Sequence, residues 1–268
     1  MLEKLRQLEI EVFAFFLNTL NSAFGTALAG AFFGAAAASY LANRSNNKKF
    51  LLERLLACNT AINLTIATLQ HSLGFKEQLA RPIIQEFNFD KDRYLKFLSD
   101  AAEGKVAGNF EVQYNFGKVN LFRHRAHEIE GLVLSKVGVS GKTSMASTFL
   151  SQTLHSLEIA ISQRQIEVER LSELKGSITD DELAHRYFGI ETNSGLFDTR
   201  LSDSMTSIER QLDDTLFYSK FIFDGLILVS SSLTNQIGKS APDQVVFTFG
   251  DEKLADLMPD KNNYPDWL

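Results

Sequence analysis

One cysteine, Cys58, occurs in 268 residues. An internal disulfide is therefore excluded, a reducing compartment suits the chain, and the expected role of Cys58 is that of a small buried hydrophobe. Proline is almost as scarce. Pro242, Pro259 and Pro265 fall in the last 27 residues, and only Pro82 interrupts the rest, which leaves long spans free to be helical. Internal repeats and low-complexity linkers are lacking, while 44% hydrophobic and 22% charged residues are ordinary for a chain that folds.

Catalytic patterns are also missing. "GVSGKTS" (138–144) has the Gly-Lys-Thr of a phosphate loop, but the position that should carry its first glycine is Lys136 and no clear strand precedes it. His124, His127 and Glu128 in "HRAHE" match neither zinc-helix spacing, and no further ligand is recognisable. No nucleophile has a base at motif spacing. The sequence thus predicts no enzyme, no catalytic residue, no cofactor and no metal.

Charge is absent from one long stretch, Val12 to Asn43. Its 32 residues would extend about 48 Å as a helix, against roughly 30 Å of membrane hydrocarbon. The most apolar part is Ala23 to Ala42. A cleaved signal of about 40 residues would be unusually long, and Glu3, Glu9 and Glu11 spoil its basic leader, so the segment is expected to stay as a single transmembrane helix. Arg44, Lys48, Lys49 and Arg54 follow it closely, and the positive-inside rule then places the N-terminus outside and the remainder in the cytoplasm. A second candidate, Leu216 to Leu233, is interrupted by Lys220 and Asp224 at i, i+4 and reads as a buried helix of a soluble domain.

Small residues recur every fourth position: Ser22, Thr26, Gly30, Gly34, Ala38 and Ala42 in one column, Ala23, Ala27, Ala31, Ala35 and Ser39 in the next. Such columns let helix backbones approach closely in lipid, and adjacent columns serve neighbours on both sides, as in a cyclic homo-oligomer. On one continuous helix Asn18, Asn21, Ser22, Gly25, Thr26 and Ala29 fall in an arc of about 140°. Two amides and two hydroxyls on one face either bond between helices or line water. The oligomer and pore candidates are Asn18, Asn21, Ser22, Thr26, Gly30, Gly34 and Ala38, with a tight anchor and a narrow pore both open. No charged ring lies in the span, so strong charge selectivity is not expected.

Residues 1–45 therefore form the membrane segment and 46–268 an α-rich cytosolic domain. Residues 48–80 continue as a helix with Leu52, Leu55, Leu56, Ile62, Leu64, Ile66, Leu69 and Leu73 on one apolar face. Further helices are predicted over 86–103, 143–174 and 199–235, and "TDDE" at 179–182 opens a short one as a capping box. Phe110, Val112, Tyr114 and Phe116 alternate as in a strand, and "QVVFTFG" (244–250) could pair with them. The fold expected is mainly α with a small β element, assembled as a homo-oligomer.

Outside residues 1–50, 22 basic residues face 30 acidic ones, which argues against general nucleic-acid binding. Lys118, Arg123, Arg125, Lys136 and Lys142 nevertheless outnumber Glu128 and Glu130 over 118–146, with Phe122 interleaved. This cluster could receive a phosphorylated or short single-stranded ligand, or serve only as a solvated or interfacial surface.

A small-xxx-small helix centred on Gly30-Ala31-Phe32-Phe33-Gly34, followed by a helical domain without catalytic motifs, resembles the membrane effectors of bacterial anti-phage defence. In layout it is most similar to the channel-forming effector of Hailong-type systems. The resemblance covers the order of elements along the chain. It implies a homotetrameric, ligand-gated channel in the inner membrane, held inactive by short DNA oligomers from a partner nucleotidyltransferase and opening on infection to depolarise the cell (abortive infection). Arg123, Arg125, Lys136 and Lys142 would then contact DNA phosphate. The alternative is a membrane-anchored oligomeric scaffold with no pore.

Overall fold

The computed structural model describes residues 2–20, 23–106, 108, 110–139, 141–192, 195–243, 245 and 255–267. The chain is mainly helical. It forms two compact units, Met1–Glu53 and Arg54–Leu268, where the sequence suggested a boundary at residue 45.

The first unit holds α1 (Leu2–Leu20) and the beginning of α2 (Ala23–Phe75). The described part of the charge-free stretch is helical on both sides of residues 21–22. Of the arc drawn from Asn18 to Ala29, Asn18 belongs to α1, Gly25, Thr26 and Ala29 belong to α2, and Asn21 and Ser22 lie outside the described residues.

The second unit takes in the rest of α2, α3 (Arg81–Ala102), α4 (Ala126–Gly131), α5 (Lys142–Leu174), α6 (Asp180–Phe188) and α7 (Arg200–Ile237). Turns of π-helix at Lys76–Ala80 and Leu132–Val137 join α2 to α3 and extend α4. The long helices begin and end close to where periodicity placed them, because each carries an apolar stripe at helical spacing. α5 buries Leu150, Leu154, Leu157, Ile161, Val168 and Leu171, and α7 buries Leu212, Leu216, Ile222, Leu226 and Leu233. Fully burying one such side chain stabilises by about 1.5–3 kcal/mol.

α5 and α7 run antiparallel: Arg170 bonds Asp198 beside the start of α7, Phe149 stacks on Tyr218, and Thr143 sits against Gly225. α2 packs antiparallel to α7, with Leu69 and Leu73 against Leu216 and Leu257 at one level and Cys58 donating to the Leu226 carbonyl (3.4 Å) further along. Buried hydroxyls in these helices bond back to the preceding turn, as Thr65 does to Ala61 O (2.7 Å) and Thr215 to Gln211 O (2.8 Å), so they are tolerated inside the core.

α6 opens as the capping pattern predicts. The Thr179 hydroxyl accepts from the Glu182 amide (3.2 Å), satisfying one of the free N–H groups of the first turn. The helix stops at Gly189, whose φ of +65° suits glycine at a left-handed cap.

The small β element is absent among the described residues, which contain a single isolated bridge, Lys175 to Ile178. Residues 110–125 are irregular, without strand pairing, and of 244–250 only Val245 is described. The Phe110 to Phe116 alternation has another cause. Phe110 packs on Tyr94 and Phe97, while Tyr114 and Phe116 pack on Tyr187, so alternate residues lie on helices. The backbone of this segment is satisfied by side chains. The Asn115 amide donates to the Tyr187 hydroxyl (3.1 Å), and Arg164 donates to Gly117 O (2.9 Å) and Asn115 O (3.4 Å).

Candidate functional site

The small-residue columns lie on α2 as one uninterrupted helix from Ala23 onward. Every described side chain from residue 30 to residue 50 is exposed, including Phe32 at 72%, Phe33 at 71% and Leu41 at 62%. Asn18, Thr26, Gly30, Gly34 and Ala38 are all exposed, and a Cβ built on Gly30 or Gly34 meets nothing within 4 Å. The apolar surface continues through α1, where Phe13 and Phe15 are 68% and 72% exposed. A single chain in water would leave many large side chains uncovered, each forgoing about 1.5–3 kcal/mol of burial. Contiguous apolar surface of this extent marks a membrane or an assembly interface.

Among the described residues, two helical stretches are long and apolar enough to cross a membrane. The first, beginning at Gly25, has a most apolar window of mean hydropathy 1.3, none of which is buried; the second, Arg200–Ser240, reaches 1.4 with 44% buried. The second is α7. Its Leu216, Phe217, Ile222, Phe223, Leu226 and Leu233 are buried, and Lys220 closes an i, i+4 ion pair with Asp224 at 2.6 Å.

The five cations expected to bind phosphate are exposed, but they are strung out. Lys118 pairs with Glu169 (3.3 Å), near the C-terminal end of α5, whereas Lys142 is the first residue of that helix. The 27 intervening steps correspond to about 40 Å of helix. Arg125 pairs with Glu128 (3.6 Å), and Lys136 belongs to the π-turn whose Val137 carbonyl accepts from Arg54. The segment around Arg123 and Arg125 follows the middle of α5, since His127 Nδ1 lies 2.8 Å from Ser151 Oγ and Thr148 bonds Glu130 (2.9 Å). Proximity in sequence therefore brings Arg123 and Arg125 together and leaves Lys118 apart from Lys142. Phe122, interleaved with these cations in the sequence, packs on His71 and Phe75. His124 is half-buried, and that burial lowers its pKa. Among the described residues no group of His, Cys, Asp and Glu could hold a metal ion. What precedes Gly138 is helical, the wrong lead-in for a phosphate loop.

Sequence reasoning did not foresee a cavity of about 300 Å³ beside α6, lined by Tyr94, Phe97 and Phe110 with Thr179, Asp180 and Asp181. The Tyr94 hydroxyl donates to Asp181, and burial together with that carboxylate raises the phenol pKa far above its ordinary value. His185 Nε2 stands 3.7 Å from Asp181, and its Nδ1 lies 2.6 Å from Glu191 O. The capping acids were legible, but no local signal ties them to a tyrosine 87 positions away. A second unforeseen feature is a network in which Arg170 and Arg200 share Asp198 and Glu167. It fixes the approach to α7 against α5, and the bonds from Arg200 hold the Asp198 carboxyl down at about 2.

Comparison with family models, curated proteins and solved structures finds no match to this chain.

Proposed function

We propose that the protein is a ligand-gated, oligomeric ion channel that permeabilises the bacterial inner membrane, with α2 as its spanning and packing helix. The observation that carries this reading is the open face over Gly30 and Gly34 on the apolar, unburied part of α2. Small residues with free space above them admit a neighbouring backbone, the requirement for helix association in lipid. Four such helices in a ring match the stoichiometry that the layout of a Hailong-type effector implies. Arg44, Lys48 and Lys49 favour a cytoplasmic second unit and an external N-terminus. On this reading the chain is not an enzyme, and it acts in abortive anti-phage defence.

Short single-stranded DNA from a partner nucleotidyltransferase is the proposed gating ligand. With Lys118 engaged by Glu169 and remote from Lys142, Arg123 and Arg125 are the first residues to test. Arg123→Glu with Arg125→Glu should weaken binding of a short DNA oligomer; unchanged binding removes this surface from the mechanism. For the pore itself, Gly30→Leu with Gly34→Leu should abolish both depolarisation of expressing cells and the crosslinked oligomer. A chain that never changes membrane potential under any trigger, yet still crosslinks, is instead the anchored scaffold.

A further inference from the structure

We propose that the end of the second unit where α2 enters it is a docking face for an anionic lipid surface, an inference that rests on the membrane reading of α2. Four segments meet there. Arg54 donates from Nε and Nη2 to Val137 O (3.0 and 2.7 Å), Cys58 donates to Leu226 O (3.4 Å), Ser230 donates to Asn59 Oδ1 (3.3 Å), and Thr143 lies against Gly225. α7 continues from Leu226 in the same direction through Ile237 toward Lys239.

Large apolar side chains at this end point outward: Leu228 is 73% exposed, Leu56 57%, Met145 54% and Leu134 49%. Each has a fully buried neighbour next to it or two positions away, Leu226, Leu55, Ala146 and Val133, so the local core is complete without them. Lys136 and Lys142 stand exposed beside Leu134 and Met145, and Lys239 is exposed just past the end of α7. Asp224, the nearest acid on α7, is held by Lys220. Asp243, whose carbonyl accepts from Asn59 (3.5 Å), also lies here, and with the three lysines against it the end is basic and apolar on a unit in which acidic residues outnumber basic ones.

Leucines that enter the acyl boundary, ringed by lysines at headgroup level, are the composition of an interfacial membrane contact. An isologous contact with a second copy would set the same three lysines against one another. Chain connectivity points to lipid as well. Ala42 closes the most apolar segment, and twelve residues that include Arg44, Lys48 and Lys49 lead from it to Arg54, a reach of at most about 40 Å even fully extended.

The test uses the full chain carrying Leu228→Cys, labelled with an environment-sensitive fluorophore. Cys58 does not compete, because it is completely buried and burial lifts its thiol to about 11. The protein is reconstituted in phosphatidylcholine vesicles with or without phosphatidylglycerol, with brominated lipid as quencher, and the same label at Ser172→Cys, on the exposed far end of α5, is the reference. We expect the label at 228 to be quenched at least about twofold more than the reference when phosphatidylglycerol is present, and Lys136→Glu, Lys142→Glu and Lys239→Glu together to remove the difference. A chain that floats with vesicles while label 228 stays unquenched overturns the docking face and leaves membrane insertion standing. Energy transfer between labels on neighbouring copies without lipid quenching overturns it in favour of a second copy. Failure to float at all overturns the membrane reading and this inference with it.

Discussion

Gly34→Ala and Gly225→Ala make the same chemical change inside a helix, and the structure gives them opposite signs. A Cβ on Gly225 would overlap Thr143 Oγ1 and come within 2.9 Å of its Cγ2 and 3.2 Å of its Cβ. Overpacking of this kind costs about 1–3 kcal/mol, and alanine returns about 0.8–1.0 kcal/mol as the better helix former. The net loss is about 1 kcal/mol, a fall of roughly 2–4 °C in Tm for a chain of this size. At Gly30 and Gly34 nothing lies within 4 Å, so only the helix term acts, and each alanine stabilises the isolated chain by up to about 1 kcal/mol. If another copy seats its helix on these glycines, the added methyls hold the two backbones apart. Assembly then weakens about tenfold for each 1.4 kcal/mol lost, while the chain itself melts higher. Circular-dichroism melts in detergent read the first effect, and crosslinking with sizing reads the second. Thr143→Ala added to Gly225→Ala removes Oγ1 and Cγ2 and should recover most of the loss, with a coupling outside additivity. A higher Tm for Gly225→Ala alone refutes the close approach of α5 and α7. Unchanged assembly for the Gly30→Ala, Gly34→Ala pair refutes the packing role of the columns.

Arg164→Ala should lower stability by about 3 kcal/mol, because Arg164, 2% exposed, is the donor to the Gly117 and Asn115 carbonyls and each stranded acceptor costs about 1–3 kcal/mol; faster proteolysis within 110–125 would localise the loss. The Asp198 carboxyl lies at about 2, below its ordinary 3.8. A depressed carboxyl contributes stability above its unfolded value and loses it as pH falls through the folded one, here on the order of 2 kcal/mol between about pH 5 and pH 2. Melts of the parent chain and of Asp198→Asn should therefore differ at pH 7 and converge near pH 2; a constant gap would show that ionisation of Asp198 is not responsible. Thr179→Ala should cost about 1 kcal/mol through loss of the α6 cap, and Thr179→Ser should restore it.

Local rules placed much of the fold. The predicted helices over 143–174 and 199–235 correspond to Lys142–Leu174 and Arg200–Ile237, since apolar periodicity depends only on neighbours a turn or two away. Thr179 could be read as a cap for the same reason. The alternation at Phe110 to Phe116 misled, because a period of two reports one buried face and not what covers it; helices supply the cover here.

The sequence by itself determined that the chain is helical, that residues 23–42 are too apolar and too small for an ordinary surface helix, and that the balance elsewhere is acidic. Only tertiary structure decided which leucines of α2 face inward, so that Leu55 is buried and Leu56 exposed. It alone spread the five cations along α5, enclosed a guanidinium under an irregular segment, and gathered Leu56, Leu134, Met145 and Leu228 at one end. The physical reason is range: periodicity and capping are settled within a few residues, whereas burial and charge proximity depend on which distant segments the core brings into contact.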